Sequence, residues 1–155
     1  MKLHSITLKN FRQFKDEQSF DLRSDEDKPV NLLFGANGAG KTTLLNAFTW
    51  ALYGAMSDDV EQQERLITDT VWRSAATGDT VDAHVEITFE HGAQNYKVLR
   101  RIALRKEGDY QGKATPDVQL WMTKPDGSSD IVRAPQEHIL SILPRSISRF
   151  FFFNG

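Results

Sequence analysis

Cysteine is absent from the 155 residues. Disulfide frameworks, thiolate zinc sites and thiol redox chemistry are therefore excluded. Long apolar runs are missing too: none approaches the roughly 20 residues of a membrane span. Lys2, Lys9, Arg12, Lys15, Asp16 and Glu17 interrupt the start of the chain, so no signal peptide is expected there. An excess of positive charge is also lacking. With Lys+Arg at 19 and Asp+Glu at 21, the net charge of −2 is not that of a compact basic nucleic-acid module. What is present, 39% hydrophobic and 26% charged residues, fits a soluble cytoplasmic domain with its own core and no membrane partner.

Hydrophobic patterning divides the chain into one lobe without repeats or low-complexity linkers. Lys2–Asn10 reads as a strand and Ser19–Leu22 as a short second one. The charged segment Arg23–Lys28 is an exposed turn, and Pro29 leads into Val30–Phe34, an apolar run suited to a strand buried on both faces. After Gly40 the spacing of Leu44, Leu45, Phe48, Ala51 and Leu52 predicts a helix that stops at Gly54. Asp58–Thr68 is a second helix candidate, acidic at its start, and Ser74–Thr80 a loop. Val81–Glu90 alternates strictly and Tyr96–Arg105 returns beside it, so the pair predicts an antiparallel hairpin across His91–Asn95. Val118–Met122 is a further strand, Pro125–Ser129 a turn, and Gln136–Leu143 a short helix closed by Pro144. Phe150–Phe153 are four consecutive phenylalanines.

The string GANGAGKTT, Gly35–Thr43, matches G-x-x-x-x-G-K-[ST] between an apolar run and an amphipathic helix. By composition such a match arises by chance in roughly one in two hundred chains of this length, and the flanking elements make chance rarer still. Each residue type has a reason. The glycines let successive N–H groups turn inward toward phosphate oxygens. Gly40 opens a helix whose first turn carries unpaired donors and partial positive charge. Lys41 sets an ammonium against the β- and γ-phosphates, and the Thr42 hydroxyl suits Mg²⁺. ATP, or a close purine nucleotide, with Mg²⁺ is the expected ligand. This loop alone does not choose among kinases, GTPases, motors and ATPases.

Taken together, ITLKNFRQF (Ile6–Phe14), NLLFGANGAGKTTLLNAFTWALYG, the β-meander and FFFNG resemble the N-terminal half of an ABC-type ATPase head of the RecF/SMC/SbcC class, closest to its DndD-like members in DNA modification and anti-phage defence. The resemblance spans Lys2–Gly155. It implies an α/β P-loop NTPase fold, with a mixed sheet and an antiparallel β-meander, over residues 1–155. It also implies that Arg12 lies beside the nucleotide phosphates, that Asn37, Gly38, Ala39, Gly40, Lys41, Thr42 and Thr43 bind them, and that Asn154 stands at the Q-loop position, serving Mg²⁺ and the attacking water. Asn there departs from the usual Gln, and from the Asp of DndD-like FFFDGE.

No Walker B Asp-Glu pair, signature motif or switch histidine is visible, so the general base for hydrolysis is missing. The stretch is expected to be part of a longer chain with a coiled coil. It would bind nucleotide alone, and would hydrolyse it only with the C-terminal half of the head, which would also cover the phenylalanines. The resemblance further implies a homodimer that sandwiches nucleotide, a DNA substrate and a separate nuclease or accessory subunit. An ATPase driving DNA repair or defence is the first reading. A nucleotide-switched clamp or sensor with little turnover is the alternative, and a small-molecule kinase is disfavoured by the meander.

The remaining features have plainer readings. The basic run Lys97, Arg100, Arg101, Arg105 and Lys106 is either a stripe for DNA phosphates or, the favoured reading, a solvated strand face. His4, His84, His91 and His138 lack metal-ligand spacing. Asp58, Asp59, Glu61 and Glu64 suit a helix start better than a metal site. Trp50, Tyr53 and Trp72 are expected to pack rather than to stack on bases.

Overall fold

Strict alternation in the strand Thr80–His91 (β3) sends Val81, Ala83, Val85, Ile87 and Phe89 to one face, where all are buried. This strand organises the domain. The computed structural model describes residues 1–24, 30–57 and 60–148. On one side β3 pairs with Lys2–Phe11 (β1), which pairs in turn with Phe14–Asp21 (β2). On the other side lie Gln94–Arg105 (β4), Asp117–Thr123 (β5) and Ser129–Ile131 (β6). The resulting six-stranded sheet has the order β2-β1-β3-β4-β5-β6, and each of these pairings is antiparallel. Gly92 and Ala93, both at positive φ, make the two-residue turn of the β3–β4 hairpin.

One face of this sheet is covered by the helix Lys41–Tyr53 (α1), which packs on β3 and β4 and buries Leu44, Ala47, Phe48, Trp50, Ala51, Leu52 and Tyr53. It stops where its spacing predicts. Gly54 takes φ 72 and donates its N–H to Trp50 O at 2.8 Å, a left-handed cap that a Cβ would disfavour. Trp50 stacks at a tilt on Phe11, 5.0 Å between centroids, fixing the helix over β1. Pro135–Ile142 (α3) packs against α1 and β5, and two short helices, Asp69–Ser74 (α2) and Arg145–Ser148 (α4), lie outside the sheet. Trp50, Tyr53 and Trp72 are all buried, in keeping with packing roles.

Several expectations are corrected. Residues 30–34 form no strand, and the run is exposed: Leu32 is 71% and Phe34 89% accessible. A buried parallel strand needs neighbours on both edges and cover on both faces, and among the described residues no strand lies beside this one. The expected mixed sheet is thus antiparallel throughout its described pairings, while the α/β class and the meander stand. Residues 60–68 are not helical, because their peptide groups are spent on Arg12, Gln111 and an isolated bridge from Phe11 to Ile67. β2 starts at Phe14 rather than Ser19, and β6 begins at Ser129, the last residue of the expected turn. The phenylalanine run, Asn154 and Asp58 and Asp59 fall outside the described residues.

Candidate functional site

The β1–β2 turn has only two residues, Arg12 and Gln13, between the paired Phe11 and Phe14. Arg12 takes the left-handed first position at φ 55, where glycine is usual and a side chain costs on the order of 1 kcal/mol. Its surroundings hold it there. Arg12 N–H donates to Leu66 O at 2.7 Å, and its guanidinium donates to Gln62 O (2.9 Å), Arg65 O (3.2 Å) and Glu61 O (3.3 Å). Burial, and then the neighbouring Arg65, press the Arg12 pKa below its ordinary value against the pull of Asp69 and Glu64. Arg12 therefore anchors the 61–65 segment. It also lines a cleft of about 180 Å³ together with Thr42, Thr43, Asn46, Met56, Val60 and Glu61.

Residues 35–39 are exposed and end in Gly40, the buried cap of α1. Gly38 and Gly40 take φ 81 and 101, conformations that turn the loop back on itself. The Lys41 ammonium folds over this loop and donates to Gly35 O at 2.6 Å and Ala36 O at 2.9 Å. Ala39 N–H donates to Ala36 O at 3.1 Å. No side chain caps the helix at Gly40, so the N–H groups of its first turn lack an intrahelical acceptor. Thr42 is exposed at the same point.

Two residues of this cluster carry no sequence signal strong enough to select them. Gln13 accepts from Thr43 Oγ1 at 2.6 Å and donates from Nε2 to Gly38 O at 3.4 Å; its position next to Arg12 in KNFRQF is the only hint. Asn46 donates to Thr42 O at 3.0 Å, while its Oδ1 accepts from Ser57 N–H (2.8 Å) and Ser57 Oγ (2.7 Å). It ties the first turn of α1 to the segment that follows the helix.

The basic run is divided by the pleat. Arg100 is buried on the core face, where it donates to Ala51 O at 2.9 Å and Gln136 Oε1 at 2.6 Å. Lys106 is buried over the Trp72 ring at 4.9 Å. On the outer face Lys97 and Arg101 pair with Glu86 (3.6 Å) and Asp82 (3.4 Å). No continuous cationic stripe results. His84 sits 3.9 Å from Asp82, and His138 packs on Tyr96 with a buried Nε2 that finds no partner among the described residues. Among those residues no group of three or more His, Asp or Glu is arranged to hold a metal.

A glycine-rich loop capping a helix on a layered α/β sheet is the arrangement of the P-loop NTPase class of fold. The profile of the AAA domain family matches residues 5–155. The chain is 28% identical over 150 residues to the DNA double-strand break repair Rad50 ATPase of Halobacterium salinarum, covering 97% of this chain and 15% of that protein. It is 32% identical over 127 residues to the SbcC component of the nuclease SbcCD from Deinococcus radiodurans, covering 82% and 12%. A solved structure from work on ATP-driven dimerisation and DNA-stimulated activation of SMC ATPases superposes with a TM-score of 0.53 at 16% identity, over 99% of this chain and 93% of that one. The chain belongs to the AAA domain family and corresponds to the N-terminal region of an SMC/Rad50/SbcC-type ATPase head. It spans about 15% or less of the length of these two curated relatives. No helix among the described residues is long and apolar enough to cross a membrane.

Proposed function

We propose that the chain binds ATP with Mg²⁺ through Gly35–Thr43 and forms one lobe of a cytoplasmic head that hydrolyses ATP while processing DNA, on the repair side of the family's range. The observation that carries this reading is the loop itself: a lysine folded onto the Gly35 and Ala36 carbonyls, with left-handed Gly38 and Gly40 leading to an uncapped helix start. The residues fit a polyphosphate. Among the described residues the Lys41 ammonium has neutral carbonyls for partners and no carboxylate, so a phosphate oxygen competes for it on favourable terms. The first-turn N–H groups of α1 point the same way.

Within this reading Lys41 binds the β- and γ-phosphates, the backbone of Asn37–Thr43 cradles them, and Thr42 offers its hydroxyl to Mg²⁺. The cation would supply charge neutralisation and polarisation of the phosphate oxygens. Arg12 shapes the adjoining cleft by holding the 61–65 segment, and its charge favours a polyanion nearby. Asn154 keeps its proposed place beside Mg²⁺ and the water on resemblance alone. The exposed Val30, Leu32, Leu33 and Phe34 are proposed to be covered by the C-terminal half of the head, which would also bring the carboxylate base. A nucleotide-sandwiched homodimer acting on DNA, with a separate nuclease alongside, completes the proposal. The curated relatives named as parts of the nuclease SbcCD favour it.

Calorimetric titration with MgATP tests the site. Lys41→Ala is expected to abolish binding, and an unchanged affinity in that variant refutes it. Phosphate release measured on the complete head, set against nucleotide-dependent dimerisation, separates an ATPase from a clamp that seldom turns over.

A further inference from the structure

Gln13 reaches the phosphate loop at two places that no backbone ladder joins. Its Oε1 accepts the Thr43 hydroxyl at 2.6 Å, on the first turn of α1, and its Nε2 donates to Gly38 O at 3.4 Å, on the loop. Between these points lies Gly40. A Cβ built there would stand 2.9 Å from Gln13 Nε2 and 2.9 Å from Phe14 Cζ. The amide and the Phe14 ring therefore lie directly on the glycine that opens the helix. Nor is Gln13 a wandering surface side chain. Its turn is locked on one side by Arg12, whose N–H and guanidinium grip residues 61–66, and on the other by the buried Phe14. A left-handed Arg12 sends consecutive side chains to opposite walls of the site: Arg12 to the 61–65 segment, Gln13 to the phosphate loop.

We infer that Gln13 is a positioning residue for the phosphate loop, acting through Thr43 and Gly38 to fix the loop and the first turn of α1 relative to each other before a nucleotide arrives. This rests on reading Gly35–Thr43 as a nucleotide-phosphate site. A loop held by its own N–H groups and one lysine has many ways to relax, and each would have to be suppressed on binding. A side-chain clamp from a rigid turn removes that cost in advance, which raises affinity without a direct contact to the ligand.

The test is fluorescence titration with MgATP and with a fluorescent ATP analogue on wild type, Gln13→Ala, Thr43→Val and the double variant, with thermal melts alongside. Gln13→Ala is expected to weaken binding roughly five-fold, the worth of a lost neutral hydrogen bond or two, with its melting temperature unchanged because the residue is exposed. Because Gln13 works through Thr43, the double variant should bind more tightly than the product of the two single losses predicts. Gln13→Glu is nearly isosteric. It keeps the acceptor for Thr43, loses the donor to Gly38 and puts a negative charge beside the phosphates, so its affinity should fall further and its deficit should shrink with added salt. Wild-type affinity in both Gln13 variants, or strictly multiplicative losses in the double variant, overturns the inference. Lys41→Ala separates the two levels. If it abolishes binding while the Gln13 variants bind normally, only the role of Gln13 falls; if Lys41→Ala binds as wild type does, the site reading falls and takes Gln13 with it.

Discussion

The side-chain amide of Gln111 pairs with the backbone of Ile67 as a neighbouring strand would. Gln111 Oε1 accepts the Ile67 N–H at 3.0 Å and its Nε2 donates to the Ile67 carbonyl at 2.7 Å, with Gln111 fully buried. Ile67 itself bridges to Phe11 at the end of β1. One glutamine thus joins the loop after β4 to the segment that Arg12 grips, and does so where no strand continues. The wall of the candidate site opposite the phosphate loop is held by side chains standing in for a sheet.

Gln111→Leu keeps the volume and removes both partners of the Ile67 peptide groups. Each of the two buried groups left unsatisfied costs about 1–3 kcal/mol, so a loss of about 2–6 kcal/mol is expected in urea denaturation. Nucleotide affinity should fall in the folded protein, as the 61–67 segment loosens behind Arg12. A midpoint equal to wild type would mean that water reaches Ile67 and that the amide is dispensable.

The two left-handed glycines of the phosphate loop should respond differently to alanine. At Gly38, φ is 81 and a Cβ meets nothing within 4 Å, so Gly38→Ala bears only the backbone strain of roughly 1–2 kcal/mol. At Gly40, φ is 101 and the Cβ meets Gln13 Nε2 and Phe14 Cζ, both at 2.9 Å. The amide can swing away, but the buried ring cannot. Gly40→Ala is therefore expected to cost more stability than Gly38→Ala and to lose more nucleotide affinity, as parallel melts and titrations would record. Equal effects would contradict the packing of Phe14 on the helix start.

The contrast between legible and illegible parts of this chain has a physical basis. Val81–Glu90 and the helix after Gly40 follow from local periodicity, since burial of one face is enough to dictate them, and the hairpin and helix stand where the pattern places them. The run 30–34 reads as buried because its residues are apolar, yet burial depends on cover that the sequence around it does not encode. Residues 60–68 have helix-like composition, but Arg12 and Gln111, distant in sequence, compete for their peptide groups and prevail. Charge misleads in the same way. Arg100 and Lys106 read as solvated, whereas the pleat puts one under α1 and an indole shelters the other. Within the candidate site, the glycines, Lys41 and Thr42 stand out in the sequence because the proposed phosphate chemistry demands those types. Gln13 and Asn46 are not, because an amide serves equally well in any turn or helix.

His84 gives the fold a mild sensitivity to acid. Desolvation, and then Lys9, hold its pKa below the ordinary 6.5, although Asp82, Glu17 and Glu86 pull upward. The Asp82 contact is long at 3.9 Å, and that carboxylate already faces Arg101 at 3.4 Å and Lys9 at 3.8 Å, so it does little for an imidazolium. Below pH 6.5 the unfolded chain protonates His84 before the folded one does. Stability attributable to this residue is thus complete above 6.5 and declines as pH falls through the lower folded value. Melts of wild type and His84→Gln between about pH 7.5 and roughly 5 should converge toward acid, with the variant losing less. A wild type that gains stability relative to the variant on acidification would reverse the sign and refute the account.

Arg100 poses the reverse problem, a buried cation whose direct partners among the described residues are all neutral. It donates to Ala51 O at 2.9 Å, weakly to Leu52 O at 3.5 Å and to Gln136 Oε1 at 2.6 Å, while Arg145 donates to Tyr53 O at 2.6 Å. Burial first, and Arg145 second, lower its pKa to about 10, against the pull of Asp117. The charge nevertheless persists at neutral pH, because a pKa of about 10 still lies well above 7. Arg100→Met removes the desolvation penalty but leaves the Ala51 carbonyl buried and unpaired; Leu52 O keeps Gln136 Nε2 at 3.0 Å. The unpaired carbonyl should outweigh the relief, for a net loss of about 1–3 kcal/mol. Arg100→Lys retains the charge and cannot fork to both Ala51 and Gln136, so it should be no more stable than the methionine variant. Urea denaturation of the two decides the balance. A methionine variant more stable than wild type would show that the buried charge, rather than its hydrogen bonds, dominates at the end of α1.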